Sequence, residues 1–432
     1  MSSPQNIFDE LSWRGLVHQV SDAEGLRAYL ASPGQTMYCG FDPTAESLHI
    51  GNLVPLLALV RMQKAGHRPI FLLGGATGLI GDPSGKDKER ELSDEAALNA
   101  RAARICSQVE AFFERNTGAK PWVVNNYDWV KKMSAIELLR DVGKHFSVNW
   151  MLAKESVKGR IDREETGISY TEFSYMILQG YDFYHLCREH GCRLQIGGGD
   201  QWGNITAGTE LIRKKHAGEA FALTFPLITT ASGKKFGKSE KGAVFMSTAL
   251  TSPYAFYQYW INTDDQDVVK FLKYFTFLTQ EEIAGLEAEL ARAPQERAAQ
   301  KALAASATVM VHGEEELRKV LAATAALFGK GDLHALDHNT LAAALEAAPA
   351  RDYAFDALPD LPQSLVDLSL SPSKGQAKKD IQAGAIALNG EKLTDAARAF
   401  SEADFLGEAG AAQGAFLVLR KGKKNYGLVR LG

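Results

Sequence analysis

The chain has little of what marks a special environment. Its 432 residues include four cysteines, Cys39, Cys106, Cys187 and Cys192, at spacings that form no disulfide framework, so cross-linking is not what the sequence relies on. No apolar run is long enough to cross a bilayer, and the N-terminal residues lack the basic-then-apolar order of a signal peptide. These absences favour a reducing, cytoplasmic setting. Neither sign of charge dominates: 48 Lys+Arg against 52 Asp+Glu give a formal net charge of -4, which argues against a wholesale basic nucleic-acid binder but leaves local patches open. The group His185, Cys187, His190 and Cys192 has the composition of a metal site, yet residues two apart on a helix point to different faces, so no tightly bound metal is expected.

What is present is ordinary globular material, 45% hydrophobic and 23% charged, enough for two or three domains. Residues 7 to 31 read as an amphipathic helix followed by a second helix capped at Ser21-Asp22. Thr36 to Asp42 reads as a buried strand turning at Asp42-Pro43-Thr44, with His49 to Gly66 as the apolar helix behind it. Pro69 to Gly75, Trp122 to Asn126 and Arg193 to Gln201 read as further strands ending in glycine-rich or polar turns. Strands alternating with helices predict an α/β fold with a Rossmann-like parallel sheet, and ligands in such sheets bind where strand C-termini open into loops.

From Ser252 to about Phe328 the pattern turns helical and charge-rich, and the alanine-rich stretch 331–362 reads as a linker. A small α+β module over 363–432 closes the chain. Its basic helix around Lys374, Lys378 and Lys379 and its basic hairpin with Arg420 and Lys421 suit contact with a phosphate backbone.

Two motifs nearly two hundred residues apart carry the chemistry. Leu48-His49-Ile50-Gly51-Asn52 opens an apolar helix, where imidazole and backbone N–H groups favour phosphate. Lys234-Lys235-Phe236-Gly237-Lys238-Ser239 presents lysines on a glycine hinge and can bring positive charge to the same phosphates from the other side. Between them, Tyr175, Gln179 and Asp182 fall at i, i+4 and i+7 of one helix and put a phenol, an amide and a carboxylate on a single face. A polar stripe in an otherwise apolar helix calls for a ligand.

Taken in order, Tyr38 to Thr44, Leu48 to Asn52, Gly74 to Lys86, Tyr175 to Asp182, Gly198 to Asn204, Lys235 to Ser239 and the basic tail resemble the class I aminoacyl-tRNA synthetases, and within them the bacterial-type tyrosyl family. The resemblance covers nearly the whole chain. It implies activation of L-tyrosine with ATP and Mg²⁺, then transfer to the terminal ribose of tRNA(Tyr), by a homodimer. It also implies a catalytic domain over 1–230, a lysine loop with a helical anticodon-side domain over 231–330, and an RNA-binding domain over 363–432.

The residue roles follow from the same resemblance. Thr44, His49, Lys86, Arg90, Lys235 and Lys238 serve the phosphates and the leaving pyrophosphate, with Asn52 among the catalytic residues and Asp42, Gly51, Gly198 and Asp200 around the nucleotide. Tyr175, Gln179 and Asp82 hold the substrate ammonium, Tyr38 and Asp182 hold the phenolic hydroxyl, and Gln201 lies near the carboxylate. One departure is Asn52, where the family motif most often has histidine. An amide moves no proton, so hydrogen bonding, to ribose in the family reading, is the role left to it. Tryptophanyl enzymes share the nucleotide motifs but have no use for the Tyr38 and Asp182 pair, and a simple nucleotidyltransferase has no use for the tail.

Overall fold

A computed structural model describes residues 6–84, 94–161, 167–231, 236–239, 242–327, 333–346, 348–407, 414–422 and 425–431. The chain divides into two compact units, one of residues 1–247 with 262–306 and one of 248–261 with 307–432.

The first unit is built on a six-stranded sheet of β1 (Gln19–Val20), β2 (Thr36–Phe41), β3 (Arg68–Leu73), β4 (Trp122–Asn125), β5 (Leu194–Gly198) and β6 (Phe221–Phe225), in the order β1-β6-β5-β2-β3-β4. β1 runs antiparallel to β6, and every other neighbouring pair is parallel. Going from β2, the chain adds β3 and β4 on one side and β5 and β6 on the other. The order therefore reverses between β2 and β5, the place where an open α/β sheet leaves a crevice at its strand C-termini. β2, β3 and β6 are buried almost end to end, which is why they read as unbroken apolar runs rather than alternating ones.

The helix Leu53–Lys64 follows β2 and is buried on most of its surface. The helix Tyr170–His190 packs along the helix Trp202–Lys214. That approach depends on glycine: a Cβ at Gly208 would lie 2.7 Å from the Phe183 ring, and the Phe183 ring meets the Tyr38 ring edge-on at 5.4 Å. At the N-terminus, the expected first helix is short, Ile7–Trp13, and stops at Gly15, whose φ of +73° no helix accommodates. The expected second helix begins as read, with the Asp22 carboxylate accepting the Gly25 N–H.

The division of the chain differs from the expected boundaries at 230, 330 and 362. The helix Asp265–Phe275, expected in a separate helical domain, belongs to the first unit, where Arg14 and Arg61 donate to the carbonyls of its last turn and just beyond. The described residues of the stretch expected as a linker, 333–346 and 348–362, are structured. Ala350–Tyr353 is a strand paired in parallel with Asn425–Leu431, and Leu333, Leu341 and Leu345 are buried in one cluster with Leu406, Phe416 and Leu428. Its alanines suggested weak packing, but the leucines between them supply the core.

In the second unit, Ala350–Tyr353 completes a five-stranded sheet with Ile386–Leu388, Glu391–Leu393, Phe416–Lys421 and Asn425–Leu431. The Asn389-Gly390 turn joins two of these strands with φ of 48° and 94°, the left-handed pair an Asn-Gly hairpin requires.

Candidate functional site

A cavity of about 240 Å³ opens at the reversal between β2 and β5. Tyr38 of β2 and Gln195 of β5 are register partners and both line it, and Asp42 follows directly on the C-terminus of β2. The helix Tyr170–His190 closes one wall with Tyr175, Gln179 and Asp182, so the polar stripe read from the sequence does face a cavity.

The floor carries a buried carboxyl and is tightly held. Asp182 is 1% exposed; its Oδ1 accepts the Trp129 Nε1–H at 2.8 Å and its Oδ2 accepts the Asn126 Nδ2–H at 2.9 Å. Burial lifts this carboxyl to about 7, against the pull of the two donors toward the anion. Asn126 is oriented in turn, because its Oδ1 accepts the Ala76 N–H at 2.7 Å. Beside this group the Tyr38 hydroxyl is buried with no partner among the described residues, and burial together with the Asp182 charge holds its proton on well above the usual phenol range. Gln179 Oε1 and Gln195 Oε1 are likewise buried and unpartnered. Buried polar atoms are nearly always paired, and here three unpaired ones belong to residues lining one space.

Higher in the cavity the carboxylates are linked to neutral donors. The Tyr175 hydroxyl donates to Asp42 Oδ2 at 2.8 Å and Thr77 donates to Asp42 Oδ1 at 2.7 Å. Asp82 accepts Gln201 Nε2–H at 2.6 Å and the Ser84 N–H at 2.9 Å, and burial raises its carboxyl above the usual range. With Asp42, Asp82 and Asp182 all lining it, the space suits a cation such as an ammonium group.

The His49 turn is organised from within. His49 Nδ1 accepts the Gly51 N–H at 3.0 Å, which leaves the ring proton on Nε2, and Asn52 Oδ1 accepts the His49 N–H at 3.1 Å. A Cβ at Gly51 would lie 2.7 Å from His49 Cε1, so the turn needs glycine there. Asn52 therefore has its side-chain carbonyl committed to the turn's own backbone. The turn is also paired to the chain that leaves the lysine segment: the Ile50 N–H donates to Val244 O at 3.0 Å and the Met246 N–H to Leu48 O at 2.8 Å. Gly237 takes φ of +82°, the left-handed value expected of a hinge glycine.

Of the residues singled out in the sequence, Tyr38, Asp42, Thr44, His49, Asn52, Asp82, Tyr175, Gln179, Asp182, Gly198 and Gln201 all line this one cavity. Gly51 shapes the turn from behind it. Asp200 is exposed and stands beside Gln201, with Gln201 Nε2 at 3.5 Å from its carboxylate. Lys86, Arg90 and Lys235 lie outside the described residues; the backbone of Lys238 is described, in a two-residue strand with Ser239. In the second unit Lys378 and Lys379 are exposed on the helix Lys374–Gln382, whereas Lys374 pairs with Asp360 at 3.2 Å and Lys421 with Asp380 at 2.6 Å. Gln195, Thr77, Asn126 and Trp129 were not anticipated. A glutamine inside the apolar run Leu194-Gln195-Ile196 was the one signal available in the sequence.

The comparisons with known proteins give the family. Residues 33–329 match the model of the class I tRNA synthetases (W and Y), and residues 343–429 match the C-terminal domain of tyrosine–tRNA ligases of the SYY type. The chain is 54% identical over 427 residues to the tyrosine–tRNA ligase of Geobacillus kaustophilus, covering 98% of this chain and 99% of that protein. It is 53% identical over the same length to that of Geobacillus stearothermophilus. Among solved structures, a C-terminally truncated mitochondrial tyrosyl-tRNA synthetase from Aspergillus nidulans superposes with a TM-score of 0.68 at 31% identity, over 75% of this chain and 94% of that one. With full-length identity to these enzymes and a cavity whose floor combines a phenol and a buried carboxylate, this chain belongs to the class I tRNA synthetases and, within them, to the tyrosine–tRNA ligases.

Proposed function

We propose that the cavity takes L-tyrosine with its ring toward Tyr38 and Asp182 and its ammonium toward Asp82, Tyr175 and Gln179. The observation that carries the reading is the unpartnered Tyr38 hydroxyl beside the Asp182 carboxylate at a buried floor. A phenol placed there donates to Asp182 and accepts from Tyr38, whereas a phenyl ring leaves the buried Tyr38 hydroxyl unsatisfied and gives Asp182 no donor beyond Trp129 and Asn126. The zwitterion's other end meets the Asp82 and Asp42 group, where Tyr175 gives the site a neutral donor as well.

The tyrosine carboxylate, already an anion, attacks the α-phosphorus of ATP, and the bond to pyrophosphate breaks without need of a proton. Magnesium arrives with the ATP as part of the substrate. Catalysis is then a matter of holding and neutralising. His49 and Thr44 line the cavity near the N-terminus of the helix that follows, where backbone N–H groups favour phosphate. Lys235 and Lys238, with Lys86 and Arg90, supply cations in the resembled family. Gly198 and Asp200 stand at the end of β5, placed for ribose hydroxyls, and Gln201 is bonded to Asp82 close to the position of the substrate carboxylate.

In the second step the tyrosyl group passes to the terminal ribose of tRNA(Tyr), with Lys378 and Lys379 meeting the RNA backbone, and Arg420 and the ion-paired Lys374 and Lys421 beside them. A homodimer is supported by large apolar side chains exposed in one stretch of the first unit: Ile136 at 67%, Val148 at 58% and Tyr170 at 72%. A second copy covering them accounts for that exposure. Among the described residues no helix is long and apolar enough to cross a membrane, in keeping with a cytoplasmic enzyme.

Pyrophosphate exchange measured with each amino acid in turn tests the reaction, and exchange without tyrosine dependence overturns it. Sedimentation of Val148→Asp beside the parent chain tests the dimer, which the variant is expected to dissociate.

A further inference from the structure

The helix Asp265–Phe275 holds the chain just before the lysine segment and again at Phe236 within it. On the entering side, the Asp267 carboxylate, in a residue 2% exposed, accepts the Ala231 N–H at 2.9 Å on Oδ2 and the Lys270 ammonium at 3.0 Å on Oδ1. The same Lys270 Nζ donates to the Thr229 carbonyl at 2.9 Å. Within the segment, the Phe236 ring stacks on Phe275 at 5.2 Å with 8° between planes, and meets Phe271 edge-on at 5.2 Å.

The far end of this helix is fixed to the helix that follows the His49 turn. Arg61 Nη2 donates to Tyr274 O and Thr276 O, both at 2.9 Å, and Arg61 belongs to the helix Leu53–Lys64. Arg14 adds Nη1 bonds to Lys273 O at 3.0 Å and Thr276 O at 3.2 Å. An acid in the first turn and cations at the last carbonyls both suit the helix dipole, so the arrangement is favourable at each end. The helix is thus a strut between the root of the lysine segment at its first turn and, at its last, the C-terminal end of the helix that the His49 turn opens.

We propose that Asp267 is a positioning residue for tyrosine activation: by pinning Ala231 and, through Lys270, Thr229, it sets where Lys238 stands relative to the His49 turn. The inference rests on the reading that Lys238 acts on the ATP phosphates. Asp267 and Lys270 do not line the tyrosine cavity, so their effect belongs to the nucleotide step and not to tyrosine recognition.

The test measures single-turnover formation of tyrosyl-adenylate and the Kd for tyrosine in Asp267→Ala, Asp267→Asn, Lys270→Met and Lys238→Ala, and in Lys238→Ala combined with each of the others. Displacing a charge by about an ångström costs on the order of 10- to 100-fold in rate, the loss expected of Asp267→Ala with tyrosine Kd unchanged. Asp267→Asn keeps an acceptor for the Ala231 N–H and restores most of the rate. In the Lys238→Ala background, Asp267→Ala adds little. Full additivity in that background, or a parallel loss of tyrosine affinity, overturns the positioning role. A Lys238→Ala enzyme of normal rate overturns instead the reading on which it rests. Should Asp267→Ala not fold, Lys270→Met and Asp267→Asn carry the same comparison.

Discussion

Replacing Asp182 with asparagine separates the cost of holding a charge at the cavity floor from the geometry of that floor. The folded chain keeps the Asp182 proton up to about pH 7, whereas an exposed carboxyl in the unfolded chain releases it near 3.8. Stability from this group is therefore complete below the lower value and is lost as pH rises toward the upper one. A shift of about three units at ~1.4 kcal/mol each amounts to about 4 kcal/mol for a fully buried group. Asparagine has the same shape and does not titrate, but it turns an N–H toward one of two donors, Asn126 or Trp129, at a pH-independent cost of about 1 to 3 kcal/mol. Urea unfolding of both ligand-free proteins from pH 4 to pH 8 reads the two effects apart. The parent's advantage over Asp182→Asn should shrink by about 4 kcal/mol across that range while the constant penalty stays. Parallel stability curves would refute the argument, because they would mean that Asp182 is already ionised in the folded chain near its ordinary pH.

Tyr38→Phe removes one neutral hydrogen bond to the substrate phenol and should weaken tyrosine activation by about 0.5 to 1.5 kcal/mol, read as kcat/KM in pyrophosphate exchange with tyrosine and phenylalanine compared. Gly51→Ala places a methyl against the His49 ring; adenylate formation should fall by about tenfold or more with tyrosine affinity unchanged, as single-turnover rates and equilibrium dialysis would report. Lys378→Gln with Lys379→Gln should reduce the salt dependence of tRNA binding by about one unit of slope per lysine, and leave adenylate formation as it was.

The sheet and the tyrosine stripe were legible because each rests on a local rule. Buried parallel strands read as apolar runs, and Tyr175, Gln179 and Asp182 share a face by helical period alone. What escaped was set by long-range contact. Asn126 and Trp129 follow a strand that ends in polar residues, and nothing near them in sequence says that Asp182, more than fifty residues away, is their acceptor. The segment 331–362 was misread for a related reason: its strand Ala350–Tyr353 has half-exposed, charged residues and becomes a strand only by pairing with Leu428 to Leu431. Composition describes a segment, whereas pairing depends on its neighbour. Asn52 illustrates a local departure that keeps a local bond, since its side-chain carbonyl accepts the His49 N–H.

The close approach at Gly208 has a consequence for amino-acid choice. A methyl there presses on Phe183, and Phe183 is the ring that backs Tyr38. Selection for substrate size therefore reaches beyond the side chains that line the cavity, to a helix-packing glycine behind them. A library meant to admit bulkier or smaller phenols would gain by varying Gly208 and Phe183 together, since either changed alone leaves a clash or a void under the floor.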